Sequence, residues 1–226
     1  MRSNNFRNLE VTAWLGSAVI ADRFLPLDGI LLYQQTRQRL GPADYTLPGQ
    51  STIEADGADQ FDLPLAHVEC GREWYYRCSF AQWSAYIDGT DHWAKRYDNG
   101  MSDYVDFSGR GTVDIAAGRY KAYHHPVFYR SALYLRWYCV GDMDKIGELL
   151  SVTTHIGKKN SQGWGRVREW KIRLMQNDYS IVRNGALMRA VPKKDVPHGI
   201  SYNMANYGIR PSYWKKSNQF FVAMPI

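Results

Sequence analysis

The sequence predicts an α+β fold with the element order βαββαβ, an insertion and a C-terminal extension. Four segments alternate apolar and polar residues with the period of a β-strand, and two segments carry apolar residues at helical spacing. They follow one another as strand, helix, strand, insertion, strand, helix, strand. This order is typical of a ferredoxin-like (RRM-like) unit, in which helices cover one face of a four-stranded sheet and the other face stays open.

The first half supplies one strand, one helix and a less regular second strand. "NLEVTAW" (8–14) alternates as a strand, and "DGILLYQQTRQRL" begins at Asp28 as a helix that we expect to end at Gly41. Residues 41–63 are rich in Gly, Pro, Asp and Ser and predict a surface loop. Residues 67–83 then predict one or two strands, with Trp74, Tyr76, Cys78 and Phe80 on one face and Tyr75, Arg77 and Ser79 on the other.

The second half repeats the strand, helix, strand order after residues 84–131, which lack clear periodicity and are interpreted as an insertion. "SALYLRWYCV" places Leu133, Leu135, Trp137 and Cys139 inward and Tyr134, Arg136 and Tyr138 outward. A helix follows with Asp142 as its N-cap and Met143, Ile146, Leu149 and Leu150 inward. "VREWKIRLM" places Trp170, Ile172 and Leu174 inward. Residues 176–226 predict an extension packed on the core, so that 1–226 is a single domain.

Composition excludes several classes of protein. A 45% hydrophobic composition can form a substantial core, and no apolar run approaches the roughly 20 residues that cross a bilayer. The N-terminus lacks the apolar segment of a signal peptide, so we expect a cytoplasmic protein with no membrane partner. Cys70, Cys78 and Cys139 are expected to be buried thiols. A zinc site at His67, Cys70 and Cys78 is an alternative that lacks a fourth ligand at a suitable spacing.

Positive charge is concentrated in the last third of the chain. Residues 1–156 contain 15 basic and 19 acidic residues, a net charge of −4, whereas residues 157–226 contain 13 basic and 3 acidic residues, a net charge of +10. Such clustering favours a polyanionic partner, with nucleic acid ahead of a membrane surface. The alternative is a solvated basic face, as on a protein interaction module that binds no nucleic acid.

A glycine-rich loop opens this basic third, in "HIGKKNSQGWGRVREWKIRLM" (155–175). Gly157, Gly163 and Gly165 allow close backbone approach to an anion. Positive charge comes from Lys158, Lys159, Arg166 and Arg168, and Trp164 offers a ring for stacking. The loop lacks G-K-[S/T] and precedes a strand, which excludes Walker A and dinucleotide motifs, so no cofactor is expected. Alternatively, the glycines only turn the chain and Trp164 packs beneath it.

A second cluster of aromatic and basic residues lies near the C-terminus, in "RPSYWKKSNQFF". We expect Tyr213, Trp214, Lys215 and Lys216 to contact RNA as well. The alternative is a C-terminal strand that packs on the core with Trp214 buried.

The pattern Ile156-Gly157, five residues, Gly163-Trp164-Gly165 resembles the glycine-rich loop of the RAMP superfamily of CRISPR-associated proteins. "VIADRFLPLDGILLY" and "GIRPSYWKKSNQFFVAMP" look like the type IV small effector subunit that is the counterpart of the subunit capping the crRNA 5′ handle. The resemblance implies an RNA-binding structural subunit that recognises this handle and caps a filament. Implied partners are crRNA, a backbone-forming subunit, a large subunit and, in some cases, target DNA. One departure is His155, where such loops usually carry a further glycine.

Catalysis remains a second interpretation. Some RAMP proteins cut precursor RNA without metal, using His, Tyr or Lys to move the proton of a ribose 2′-OH. "RYKAYHHP" offers Lys121, Tyr123, His124 and His125 for such a metal-independent crRNA-processing endoribonuclease. The same cluster can bind phosphate without cleavage, and other enzyme signatures are missing, so binding is favoured. No catalytic residue and no metal site are assigned.

Overall fold

The computed structural model describes residues 5–45, 62–69, 71–98, 100, 104 and 114–226. Two α-helices lie in this part of the chain, α1 (Leu27–Tyr45) and α2 (Met143–Ser151). The strands are β1 (Phe6–Leu15), β2 (His67–Val68), β3 (Tyr75–Tyr76), β4 (Gln82–Trp83), β5 (Tyr86–Lys95), β6 (Tyr123–Ala132), β7 (Tyr134–Asp142), β8 (Val167–Leu174), β9 (Val182–Arg183), β10 (Ala186–Leu187), β11 (Asn203–Gly208) and β12 (Gln219–Met224). The chain is thus a mixed α and β protein with several antiparallel sheets.

The largest sheet has four strands in the order β4, β7, β1, β8, all paired antiparallel. Alternation along β1 buries Leu9, Val11 and Ala13 on one face, against Leu31 of α1 and Ile146 of α2. Helix α2 begins as predicted, because the Asp142 carboxylate accepts a hydrogen bond from the backbone N–H of Lys145 at 3.2 Å. Its predicted inward residues Ile146, Leu149 and Leu150 are buried.

Three of the predicted inward or outward assignments, in β7, in β8 and just before β7, are wrong. Leu133 is 70% exposed, since it lies at the joint between β6 and β7, where the alternation breaks. Leu174 is also exposed, at the end of an edge strand. Tyr138 is buried, because Tyr179 from the segment after β8 packs against its ring at 5.6 Å.

A second core lies beside the first and contains the β11 and β12 hairpin. Tyr75 and Phe80 belong to this core, whereas Tyr76 and Cys78 belong to the first. The predicted faces are therefore right for Tyr75, Tyr76 and Cys78 and wrong for Phe80. Ser79, on the face predicted to oppose Cys78, is fully buried as well. The reason is that this segment passes between the two cores and is covered on both sides.

A buried ion pair joins the two cores. Arg189 and Asp28 are both almost completely buried, and Arg189 Nη2 lies 3.7 Å from Asp28 Oδ2. The guanidinium also donates to the backbone carbonyl of Cys78 at 2.9 Å and to the carbonyls of Tyr76 and Ile209. These bonds satisfy most of its donors, as a buried charge requires.

Residues 86–95 and 123–132, which lie within the predicted insertion, pair as the two ten-residue strands β5 and β6. We call this hairpin the arm. Helix α1 continues to Tyr45, past the predicted end at Gly41. Residues 46–61 of the predicted loop, and Cys70, lie outside the described residues.

Candidate nucleic-acid interface

The glycine-rich loop between α2 and β8 is closed at its base by backbone pairing. His155 forms a β-bridge with Arg166, and the N–H of Ile156 donates to the carbonyl of Gly165 at 2.9 Å. Val167 N–H donates to the carbonyl of Thr154 at 2.8 Å. Residues 157–164 are therefore presented as one protruding loop, in the position that the sequence predicts. His155, where a glycine was expected, takes part in this closure.

Two of the glycines allow the loop to approach the protein's own backbone. A Cβ at Gly165 would lie 1.8 Å from the carbonyl oxygen of Ile156, and one at Gly157 would lie 2.5 Å from that of Ile20. Both glycines have positive φ, which favours glycine. Gly163 also has positive φ, but no atom lies within 4 Å of its Cβ position. Of the three, it is Gly163 that leaves space for a ligand.

The loop rests on the connection between β1 and α1 (16–26), whose role the sequence did not reveal. Ser17 Oγ donates to the carbonyl of Gly163 at 2.8 Å and accepts from the N–H of Arg166 at 2.9 Å. The N–H groups of Gly165 and Lys158 donate to the carbonyls of Ala18 and Ile20. These contacts fix the loop without using its cationic side chains.

Two side chains of the loop contact the arm. The rings of Trp164 and Tyr129 lie 5.1 Å apart, and Lys159 Nζ lies 3.6 Å from the centre of the Trp93 ring. Trp164 is half-buried, so it packs on the arm and keeps part of its surface exposed. The arm thus places aromatic residues next to the loop. The sequence alone gave no signal for this contact.

The remaining cationic residues of the loop face outward. Lys158 has a 63% exposed side chain, and its Nζ lies 3.3 Å from the exposed carboxylate of Asp22. Arg166 and Arg168 are exposed, and both side chains pass over Gly16, where an added Cβ would lie 3.6 Å and 3.1 Å from them. Three cations at or next to the loop are therefore exposed, and one of them, Lys158, has a carboxylate beside it.

The arm separates the residues proposed for catalysis. Tyr123 and His125 share a face with Trp93, whose Nε1 donates to the Tyr123 hydroxyl. The rings of Tyr123 and His125 stack at 5.1 Å. His124 lies on the opposite face, stacked on His92 at 4.5 Å, and Lys121 is exposed before the strand begins. The Tyr123 and His125 pair therefore lies near Lys159 of the loop, because Trp93 contacts both Tyr123 and Lys159.

The C-terminal cluster lies against the first turn of α1. Tyr213 Oη donates to the buried carboxylate of Asp28 at 2.7 Å. Burial raises the pKa of Asp28, which the charge of Arg189 opposes, and burial also raises the pKa of the Tyr213 hydroxyl well above its ordinary value. The structure thus gives Tyr213 a role in packing.

The other three residues of this cluster differ in exposure. Trp214 is 54% exposed and Lys216 is exposed, whereas Lys215 is half-buried. The glycine-rich loop contacts the connection between β1 and α1 at Ser17, whereas this cluster contacts the first turn of α1 at Asp28.

Neither a metal site nor a membrane span is found in the described part of the chain. Its His, Cys, Asp and Glu side chains form no group of three or more that could hold a metal ion. Neither α1 nor α2 combines the length and apolar character needed to cross a bilayer. Cys78 and Cys139 are buried free thiols that face each other in a β-bridge.

Comparison with known protein families gives a match over nearly the whole chain. Residues 7–225 match the family model described as CRISPR type IV associated protein Csf3. The chain belongs to the Csf3 family. The predicted resemblance to a type IV CRISPR-associated protein is thereby confirmed.

Among solved structures, the Csf3-family chain is similar to a chain in the cryo-EM structure of the type III-B Cmr-beta complex bound to cognate target RNA. The identity is 10% and the TM-score 0.37, and the alignment covers 75% of this chain and 61% of that one. A comparison with curated proteins gives no match.

Proposed function

We propose that this Csf3-family chain is an RNA-binding structural subunit of a type IV CRISPR effector ribonucleoprotein. In this role it recognises the crRNA 5′ handle and caps the filament of backbone subunits in the cytoplasm. The proposal treats the four-stranded sheet and its two helices as a ferredoxin-like unit, which the strand order β4, β7, β1, β8 supports. Its partners are the crRNA, a backbone-forming subunit and a large subunit, with target DNA as a further contact.

One observation carries the proposal, namely the outward presentation of the loop cations beside an aromatic pair. Lys158, Arg166 and Arg168 are exposed, and Trp164 with Tyr129 forms a ring pair next to them. Exposed cations contact phosphates, and partly exposed rings stack on bases with little dependence on sequence. This combination suits a ribose-phosphate chain better than a protein partner.

Copurification tests the proposal directly. The chain is expressed in its host with the other effector subunits, and the RNA that copurifies is sequenced to both ends. We expect RNAs that share one 5′ handle sequence, and less of this RNA with a Lys158→Ala, Lys159→Ala variant. The matched control is Lys193→Ala, Lys194→Ala, which removes the same charge from the extension. RNA without a common 5′ end would contradict handle recognition.

Metal-independent cleavage of precursor RNA is the second candidate. The observation that favours it is the stacked Tyr123 and His125 pair, which adjoins the loop through Trp93 and could remove the proton of a ribose 2′-OH. Purified protein is incubated with unprocessed repeat RNA in EDTA. Discrete cleavage that is lost in His125→Ala and kept in His124→Ala, on the opposite face, would replace the structural role with an enzymatic one.

A further inference from the structure

The face of the four-stranded sheet opposite the helices carries aromatic and basic side chains. On β1, Trp14 pairs in register with Tyr134 of β7, and Thr12 pairs with both Arg136 of β7 and Lys171 of β8. The intervening residues of β1 are buried in the helix-covered core, so these even-numbered positions lie on the other face. We call the patch formed by Trp14, Tyr134, Arg136 and Lys171 the sheet platform.

The side chains of the sheet platform are close enough to act together. The rings of Trp14 and Tyr134 lie 5.1 Å apart at an interplanar angle of 58°. Arg136 Cζ lies 5.1 Å from the Tyr134 ring and Lys171 Nζ lies 5.8 Å from the Trp14 ring. Trp14 is 37% exposed, although it lies on an inner strand of the sheet, near the end of that strand.

Among the residues that the structure describes, those that lie over this sheet face cover one end of it. At the far end, Tyr179 and Arg183 lie over Tyr138, with Arg183 Cζ 4.8 Å from its ring. Tyr179 and Arg183 thus leave Tyr138 buried, whereas Trp14 keeps more than a third of its surface exposed. The uncovered end is therefore the one that carries the sheet platform.

The charges of the sheet platform suit an anionic ligand. Its two neighbouring carboxylates are already engaged, Glu10 with Arg136 at 3.4 Å and Glu169 with Lys171 at 3.3 Å. Arg173, which is exposed, adds a third cation at the register position opposite Glu10. Cations thus outnumber carboxylates, and Arg136 and Lys171 lie next to the two rings.

The sheet platform is continuous with the glycine-rich loop. Gly16 follows Trp14 by two residues, and the side chains of Arg166 and Arg168 pass over it. The N–H of Gly16 also donates to the carbonyl of Arg166 at 2.7 Å. A strand whose phosphates contact these arginines would therefore have its next bases above Trp14.

We infer that the sheet platform binds unpaired bases of single-stranded RNA by stacking on Trp14 and Tyr134, while Arg166 and Arg168 hold the adjoining phosphates. The inference rests on the proposed function in taking RNA as the ligand, and it adds a second site outside the loop. Stacking on exposed rings tolerates any base. This site therefore raises RNA affinity and guides the path of the strand without reading its sequence.

Abasic RNA separates base stacking from phosphate contact. Affinities are measured for a short single-stranded RNA and for an oligonucleotide of equal length and charge whose central riboses lack bases. The ratio of the two affinities reports stacking. We expect Trp14→Leu, Tyr134→Leu to lower this ratio at least about fivefold. Trp14→Phe should keep most of the ratio, and Phe221→Leu, at an exposed ring on β12, should leave it unchanged.

The glycine-rich loop gives a different signature. Lys158→Ala, Lys159→Ala should weaken binding of both oligonucleotides equally and leave the ratio as in the unmodified chain. A ratio unchanged in the Trp14 and Tyr134 variant overturns the sheet platform while leaving the proposed function intact. Absence of binding of either RNA by the unmodified chain overturns both.

Melting temperatures show whether each variant is as stably folded as the unmodified chain. If the double leucine variant melts at a lower temperature, the single Trp14→Leu variant decides, since this ring is partly exposed and its removal leaves the core in place. An unchanged ratio in that folded variant overturns the inference, and a lowered ratio supports it.

Discussion

Arg189 links the first turn of α1 to the C-terminal extension through one buried ion pair. Replacing it with alanine would leave the buried carboxylate of Asp28 without its counter-ion and three buried backbone carbonyls without their donor. Breaking a buried pair in this way costs about 3–5 kcal/mol of unfolding free energy. We therefore expect Arg189→Ala to lower the urea midpoint strongly.

A surface pair provides the control for this prediction. Lys194 Nζ lies 2.8 Å from Glu73 with both side chains partly exposed, and exposed pairs contribute about 0–1 kcal/mol. Lys194→Ala should thus hardly move the midpoint. Equal effects of the two substitutions would show that the Arg189 pair does not hold the cores together.

Burial makes the two described thiols unreactive. It raises the pKa of both Cys78 and Cys139 above that of an ordinary thiol, so the folded chain holds little thiolate at pH 8.5. We expect iodoacetamide to label the peptides that contain them only after addition of urea, as measured by mass spectrometry. Labelling of either peptide in the folded chain would contradict their buried position.

The same raised pKa values have a consequence for stability. Above the ordinary thiol pKa, near pH 9, the unfolded chain releases these protons while the folded chain retains them. The unfolding free energy should therefore fall as pH rises above about 9. A urea midpoint that stays constant from pH 8 to pH 10.5 would contradict this.

Single residues show where sequence reasoning was limited. Tyr213 lies among lysines and was expected to face RNA, yet its hydroxyl bonds to Asp28, which is 185 residues away in the sequence. Ser17 fixes the glycine-rich loop from 146 residues away. Local patterns carry no information on such long-range partners.

At the scale of elements, two glycines of the glycine-rich loop differ in their surroundings. Gly165→Ala would place a methyl group 1.8 Å from a backbone carbonyl oxygen, so the loop must move, whereas Gly163→Ala meets only the cost of a positive φ. That cost is about 1–2 kcal/mol. We expect Gly165→Ala to lower the melting temperature clearly more than Gly163→Ala does, in a thermal unfolding experiment.

RNA affinity completes the comparison of the two glycines. Gly165→Ala should also weaken RNA binding, since the displaced loop no longer presents its cations together. Identical melting temperatures for the two variants would contradict the close backbone approach at Gly165.

Elements with one buried face were predictable from the sequence, and the others were not. Strand β1 and helix α2 have clear periodicity because each packs one face on a core. The arm has few buried residues on either face, so its strands show no apolar alternation. In residues 75–80 the predicted faces hold for Tyr75, Tyr76 and Cys78 and fail at Phe80, because a core covers each side of this segment.

At the scale of the whole molecule, the fold places part of the basic last third against residues from the rest of the chain. The charge asymmetry is a property of the sequence, but the aromatic partners of the loop come from the arm and from β1. The candidate site could therefore be located by the glycine pattern and the lysines. The extent of the site could not be predicted, since Trp93, Tyr129 and Trp14 lie far from the glycine-rich loop in the sequence.

The central claim is that the cations of the glycine-rich loop contact RNA phosphates, and the salt dependence of RNA affinity tests it most directly. For single strands the slope of log affinity against log salt is about −0.7 per phosphate contacted. We expect a steep slope for the unmodified chain and a slope shallower by at least about 0.7 for Lys158→Ala, Lys159→Ala, since Lys158 is exposed and Lys159 lies over the Trp93 ring. The Lys193→Ala, Lys194→Ala control should keep the original slope. Equal slopes in all three proteins, or no RNA binding at ~50 mM salt, would contradict the claim.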